Sequence, residues 1–334
     1  MRTINNLSDA EQITLTFTPA VCSLVSFLGS GTILYSISRD FSRKLRSLKY
    51  RILAAICISD LINSSWYGLW ALPIPRGSPG VWGAIGNTAS CSAQGFFLHL
   101  GNVGAAYNGA LALYFLLSLR YRMQDEVIAK KYEIYMHLWG LIWPLSTGLI
   151  ALSIDLFNFG GVGCWIAPYP YQCHLDDNVE CIRGKQAYVY AWLFTGVPVA
   201  VTNIIIVVCM VLTYQAVRTT YQRAQLPIDR AVNSGHLPEG DAQASKRRHA
   251  RKIEQAGLQS FLYSAAYFVT HLWAFVIVGI EHAGGKLYFY VLFLQVGGFI
   301  VLFIACVFCR EFLPRTHPSL PSFSAVFLAI ARFL

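Results

Sequence analysis

Seven long apolar runs follow one another along the chain, and polar segments separate them. A helix needs about 20 largely apolar residues to cross the hydrocarbon core of a bilayer, and each run has roughly that length. Backbone N–H and C=O groups in lipid must bond within their own segment, so the runs predict helices. The pattern therefore predicts an all-α integral membrane protein, a seven-transmembrane helix bundle. Its expected spans are Phe17–Ser38, Arg51–Leu72, Ser92–Tyr121, Ile134–Ile154, Val189–Thr213, Ala256–Ile280 and Leu287–Cys309.

The composition also indicates that lipid solvates much of the surface. Of the 334 residues, 55% are hydrophobic and 13% are charged, whereas soluble domains carry about 25% charged residues. The net charge of +9 comes from Lys and Arg between the apolar runs, and a nucleic-acid-binding protein would instead gather them on one folded face. No nucleic-acid partner is therefore expected. The polar opening segment has no small-residue cleavage site, so no cleavable signal peptide is expected.

The distribution of Lys and Arg predicts which loops face the cytoplasm. With the loops numbered alternately from the N-terminus, one set holds 21 of the 26 Lys and Arg residues and the other holds 5. The rich set is assigned to the cytoplasm, so a multi-pass protein with its N-terminus outside is predicted. Residues 1–16 then form a short extracellular segment in which Asn6 begins a glycosylation acceptor. Residues 17–309 form the membrane domain with a long cytoplasmic loop at 214–255, and residues 310–334 form a cytoplasmic tail whose apolar end is short enough to lie on the membrane surface.

Four cysteines fall in segments assigned to the oxidising exterior: Cys91, Cys164, Cys173 and Cys181. They predict two disulfides. Four cysteines allow three connectivities, of which we favour Cys91 with Cys164 and Cys173 with Cys181. A zinc site is the alternative, although the C-x₂-C spacing of such sites is absent. The histidines are scattered with no H-x-x-x-H spacing, so no metal or cofactor is expected.

Several of these features resemble a known family. Span two reads RILAAICISDLINSSWY, a cysteine begins span three, and Gly163-Cys164-Trp165 lies in the second outer loop. Together they resemble G-protein-coupled receptors of the cyclic-AMP-receptor-like family, which borders on the secretin-like family. Gln295-Val296-Gly297-Gly298-Phe299 in span seven is similar to the Gln-Gly element of these receptors. The resemblance implies an extracellular ligand and a cytoplasmic heterotrimeric G protein as partners, and a receptor of this kind would lie in the plasma membrane.

Asp60 is the only carboxylate well inside a predicted span. Asn63 and Ser64 follow it by three and four positions, so the three side chains share one face of a helix. An ionisable group at this depth is costly and usually faces the bundle interior. The face is interpreted either as a polar switch or ion site in the core, or as a hydrogen-bonded structural feature that fixes helix packing.

Polar and aromatic side chains in several spans predict a ligand pocket in the outer half of the bundle. The alternative is that they join helices within the membrane. Gly101, Gly104 and Gly109 are expected to let helices approach closely. The candidate pocket residues are Gln94, His99, Asn102, Trp192, His271, Trp273 and Gln295.

The foot of span three carries Arg120, Tyr121 and Arg122, where a G protein would dock. The acidic-Arg-Tyr triplet of rhodopsin-like receptors is absent here. Two residues apart on a helix, the arginines point to different sides, so one of them is expected to face the bundle opening. The alternative is that all three residues set topology and contact anionic lipid.

Other classes of membrane protein find less support. The sequence has no Gly-rich phosphate loop and no serine nucleophile elbow, so an enzyme is not expected. A retinal protein needs a lysine within span seven, and Leu287–Cys309 contains none. A transporter or channel remains the alternative function, although such proteins usually place several charged groups along a path and here Asp60 stands alone in the spans.

Overall fold

The computed structural model describes residues 7–233, except 162, 172 and 174–178, together with residue 280. This part of the chain contains the predicted spans one to five and the loops between them. Predicted spans six and seven, the tail, Asn6, His271, Trp273 and Gln295 lie outside the described residues.

The described chain is mostly helical. Its helices are α1 (Asp9–Arg39), α2 (Phe41–Lys44), α3 (Leu48–Gly68), α4 (Thr88–His99), α5 (Asn102–Leu119), α6 (Asp125–Ser153), α7 (Ala187–Ala191) and α8 (Val197–Asn233). A π-helical segment, Trp192–Gly196, joins α7 to α8. Strands β1 (Phe157–Phe159) and β2 (Cys164–Ile166) form an antiparallel hairpin between α6 and α7.

Four helical stretches of the described chain are long and apolar enough to cross a membrane: Asp9–Arg39, Thr88–Leu119, Asp125–Ser153 and Ala187–Thr219. They contain most of predicted spans one, three, four and five. The helical, membrane-embedded character predicted from the sequence is therefore confirmed for this part of the chain. Predicted span two corresponds to α3, a 21-residue helix that carries Lys49, Arg51 and Asp60 and is not one of the four.

The helices extend beyond the apolar runs, since hydropathy marks the part that suits lipid and not the ends of the helix. α1 begins eight residues before Phe17 because the Ser8 side chain accepts the backbone N–H of Glu11 while the Glu11 carboxylate accepts that of Ser8. α8 continues to Asn233. The first part of the predicted loop 214–255 is therefore helical, and the prediction that span five ends at Thr213 marks only its apolar part.

α5 is the central helix of the described bundle. One side packs on α3 and α6, where Tyr107, Leu111 and Phe115 meet apolar residues of both helices. The other side packs on α8 through small residues such as Ala105 and Ala112. A Cβ atom added at Gly109 would lie 3.0 Å from the methyl carbon of Thr202 in α8. The expectation that glycines of span three permit close helix approach is confirmed for Gly101 and Gly109, whereas a Cβ at Gly104 would meet its neighbours only at 3.7 Å or more.

A disulfide-bonded hairpin covers the N-terminal end of α4. In the hairpin Phe159 pairs with Cys164, and Cys164 forms a disulfide with Cys91 in the first turn of α4. Cys173 and Cys181 form a second disulfide. Both predicted pairings are confirmed, and the zinc alternative is wrong because all four thiols are paired. The sequence analysis did not predict the strands, since each has three residues and no alternating pattern.

Candidate functional site

Two neighbouring helical stretches, those of predicted spans three and five, depart from regular α-helix where their polar side chains meet those of the continuous helix α6. Predicted span three is broken between α4 and α5, α6 contains Pro144, and span five contains the π segment. Irregular turns inside membrane helices leave backbone groups that neighbours must satisfy, and they occur often at functional sites. We call the place where they meet the helix-break site, defined by His99, Asn102, Thr147 and Thr195.

The break in span three has a local cause. Around the break, backbone N–H groups donate to the carbonyl three residues earlier instead of four. Examples are Gly101 N–H to Leu98 O and Gly104 N–H to Gly101 O, both 3.0 Å. The Asn102 side chain donates to His99 O at 2.9 Å. Asparagine side chains compete in this way with the backbone for carbonyl groups. The prediction of a single helical stretch for span three is confirmed by Thr88–Leu119, but a turn at residues 100–101 interrupts it next to two predicted pocket residues.

His99 joins the break to α6. Its side chain is fully buried, and its Nε2 lies 2.9 Å from Thr147 Oγ1. Because the Thr147 hydroxyl donates to Trp143 O at 2.8 Å, His99 must donate from Nε2 and keep Nδ1 as an acceptor. Nδ1 is buried and has no hydrogen-bond partner among the described residues. Within the described part of the chain, His99 Nδ1 is therefore a buried hydrogen-bond acceptor without a donor.

The π segment is tied to the same place from the other side. Asn102 donates a second hydrogen bond to Thr195 Oγ1 at 3.3 Å. The indole N–H of Trp143 in α6 donates to the backbone carbonyl of Phe194 at 2.9 Å. A Cβ at Gly196 would lie 2.4 Å from the Trp192 ring, so the segment accommodates that ring only with glycine at this position. Side chains of α5 and α6 therefore stabilise the π segment.

The polar face of α3 approaches the break directly. An added Cβ at Gly101 would lie 2.9 Å from Asn63 Oδ1, and one at Gly104 would lie 3.8 Å from Asp60 Oδ1. The Ser30 hydroxyl of α1 donates to Asp60 Oδ2 at 3.3 Å. The carboxylate thus sits between α1 and α5. This hydrogen bond fits the structural interpretation of Asp60, and its role as a switch stays a prediction.

The hairpin of β1 and β2 closes over the site. Gln94 is fully buried and donates to Trp66 O and Trp70 O at 3.2 and 3.0 Å, while its carbonyl accepts the N–H of Cys164 at 3.4 Å. Phe157 is also fully buried, and its ring centroid lies 5.9 Å from that of His99. Gln94 therefore fixes the hairpin on α4, and Phe157 covers His99.

The structure brings part of the predicted pocket together. Gln94, His99 and Asn102 surround the outer half of the broken span, and Trp192 opens the π segment that contacts it. Ser64 is buried one turn beyond Asp60. Within the described chain, no group of three or more His, Cys, Asp or Glu side chains could hold a metal ion.

The triplet Arg120, Tyr121 and Arg122, predicted to face the cytoplasm, lies at the C-terminal end of α5, away from this site. The helix ends at Leu119, Arg120 caps it, and Tyr121 is 60% exposed. Arg122 has φ +53°, a left-handed conformation that ends the helix. The premise that both arginines stand on one helix two residues apart is therefore wrong.

Sequence reasoning missed two residues of the site, Thr147 and Thr195, and also Trp143, which bonds the adjoining π segment. Pro144 inside an apolar run was a usable signal, because proline removes a backbone N–H and marks irregularity in a helix. The π segment gave no comparable signal. Neither a protein-family model nor a curated protein sequence matches this chain.

Proposed function

We propose that the chain is a G-protein-coupled receptor of the plasma membrane, which binds an extracellular ligand and activates a cytoplasmic heterotrimeric G protein. The observation that carries the proposal is the helix-break site, where two interrupted helical stretches and the continuous helix α6 meet through polar side chains. The sequence adds seven apolar runs, a loop-charge pattern that puts the N-terminus outside, and the receptor-like motifs around Cys91 and Trp165.

A receptor needs a bundle with two arrangements of similar free energy, and a ligand that binds the active one better. Regular apolar helices in tight contact resist such a change. The break at Leu100–Gly101 and the π segment interrupt two neighbouring helices, and the hydrogen bonds of Asn102 and Trp143 that join them are individually weak, about 1 kcal/mol each. The groups in these hydrogen bonds can therefore exchange partners with only a small change in free energy.

The hairpin of β1 and β2 would connect an extracellular ligand to the helix-break site. Phe157 contacts the region of Gly95, Phe96 and His99. A ligand on the outer half would move Phe157 or bond the open Nδ1 of His99, and either change would act on the broken span. The cytoplasmic end of that span carries the triplet that the G protein would contact. Arg120 is the arginine better placed for that contact. Its backbone N–H donates to Leu116 O, so the last turn of α5 holds it in place.

The test uses the full-length protein in lipid nanodiscs with purified heterotrimeric G proteins. Small molecules and peptides are screened for direct binding and for acceleration of nucleotide exchange on Gα. We expect a binder to accelerate exchange, and Arg120→Lys to reduce that acceleration by roughly tenfold, about 1.4 kcal/mol, because the planar fork of arginine is lost. Arg122→Lys is the matched control and should have little effect.

Three results would count against the proposal. A compound that binds yet accelerates exchange on no class of Gα would contradict receptor coupling. Ion or solute flux through vesicles containing the protein would support the transporter or channel alternative instead. If neither Arg120→Lys nor Arg122→Lys changes nucleotide exchange in an active receptor, the G protein does not depend on this triplet and must bind elsewhere.

A further inference from the structure

A second polar chain links α3, α5 and α6, and the helix-break site does not use it. The Arg51 guanidinium of α3 donates from Nε to Glu133 Oε1 at 2.5 Å and from Nη2 to Glu133 Oε2 at 2.7 Å. One turn further along α6, His137 Nε2 lies 3.4 Å from the same Oε1. His137 Nδ1 lies 2.7 Å from the hydroxyl of Tyr107 in α5.

Oxygen Oε1 of Glu133 is thus shared between two donors on opposite sides. Arg51 binds the carboxylate with both arms of its fork, a strong geometry for a partly buried pair. His137 Nε2 is further from the shared oxygen than Arg51 Nε is, at 3.4 Å against 2.5 Å, and its side chain is 31% exposed. The present geometry therefore favours Arg51 as the main partner of Glu133.

The charge of His137 decides how strongly it competes. In the neutral ring, Nε2–H donates to Glu133 and Nδ1 accepts the hydroxyl hydrogen of Tyr107, so every member is satisfied. In the protonated ring both nitrogens donate. The contact with Glu133 then becomes a charge-assisted ion pair, and the Tyr107 hydroxyl must reverse to accept from Nδ1, which frees its own hydrogen. Protonation therefore strengthens the attraction of Glu133 toward His137.

We propose that Arg51, Glu133, His137 and Tyr107 form a proton-sensitive latch, in which Glu133 ties α6 to α3 when His137 is neutral and turns toward His137 and α5 when His137 is protonated. Among the described residues, the titratable or charged groups that face His137 are Glu133 on its own helix and Tyr107 from α5. Arg51 approaches Glu133 from α3, and Asp125 lies within electrostatic range of Arg51. The inference does not depend on the proposed receptor function, because it concerns contacts between helices.

The test measures the thermal unfolding midpoint of the full-length protein in detergent at about pH 7.5 and about pH 5.5, which bracket the range where histidines usually change charge. Arg51→Gln should lower the midpoint by several degrees at the higher pH, since it leaves Glu133 without its main partner. At the lower pH we expect this loss to fall to about half or less, because His137 then holds the carboxylate. In a His137→Gln background, the loss should be equal at both pH values.

His236→Gln is the matched control, because it removes a histidine outside the latch and should leave the pH dependence of the Arg51→Gln loss unchanged. If Arg51→Gln fails to fold, Arg51→Lys replaces it, since lysine keeps the charge and loses the bidentate contact. The latch would be overturned if Arg51→Gln lowered the unfolding midpoint of the otherwise unaltered protein equally at both pH values. A pH dependence that persists without His137 would also overturn it.

Discussion

Cys91→Ala and Cys164→Ala should each cause a large loss of surface expression, and the double variant should be no worse than either single one. All three remove the same bond, which closes a sequence separation of 73 residues and should be worth about 2–5 kcal/mol. The loss should be large because the hairpin that carries Cys164 also positions Phe157 over His99. Surface labelling of cells that express each variant, normalised to total protein, measures it.

Cys22→Ala is the control, since Cys22 is a free, half-buried thiol in α1. It should leave surface expression close to that of the unaltered chain. Two results would contradict the prediction. One is a double variant whose loss equals the sum of the single losses. The other is mass spectrometry of the folded protein that finds Cys91 or Cys164 as a free thiol.

Gly95→Val should have the second largest effect, a loss of roughly 1–3 kcal/mol of stability or a failure to fold, as for other overpacked cores. An added Cβ at Gly95 would lie 2.8 Å from Cβ and Cδ1 of Phe157. Phe157 is fully buried, and the hairpin is bonded to the same helix through Cys91, so the ring has no space into which it can move. Thermal unfolding of the purified protein measures the loss.

Two further variants make the result specific. Gly31→Ala is the control, because its Cβ would meet only Leu61, at 3.9 Å, and alanine suits a helix interior better than glycine. Phe157→Ala combined with Gly95→Val should recover part of the lost stability, since the smaller side chain removes the overlap. If the double variant is less stable than Gly95→Val alone, the contact between Gly95 and Phe157 does not explain the loss.

The sequence predicted the helices well because lipid imposes a simple rule on apolar segments. Hydropathy located α1, α6 and α8 but not their ends, since the caps at Ser8 and the polar continuation to Asn233 depend on helix-forming residues outside the lipid. The disulfides followed from loop topology and the oxidising exterior. Neither argument needed knowledge of how the helices pack.

The candidate site was only partly predictable for a physical reason. His99, Asn102 and Asp60 stood out because polar residues are rare in apolar runs. Their partners, Thr147 and Thr195, are small and common in membrane helices, so only packing identifies them. The break at Leu100–Gly101 arises from a side chain that competes for a backbone carbonyl, and the Arg51–Glu133 pair joins residues 82 positions apart, which no local pattern reveals.

The proposed direction of signalling, from outside to inside through an odd number of crossings, is tested most directly by the sidedness of three epitope tags. They are placed at Ser8, at Gly240 and after Leu334 in separate full-length chains, and each is stained on intact and on permeabilised cells. The account predicts that the tag at Ser8 is stained on intact cells, and that the other two are stained only after permeabilisation. Staining of the Gly240 or Leu334 tag on intact cells would contradict the seven-span arrangement and, with it, the proposed receptor.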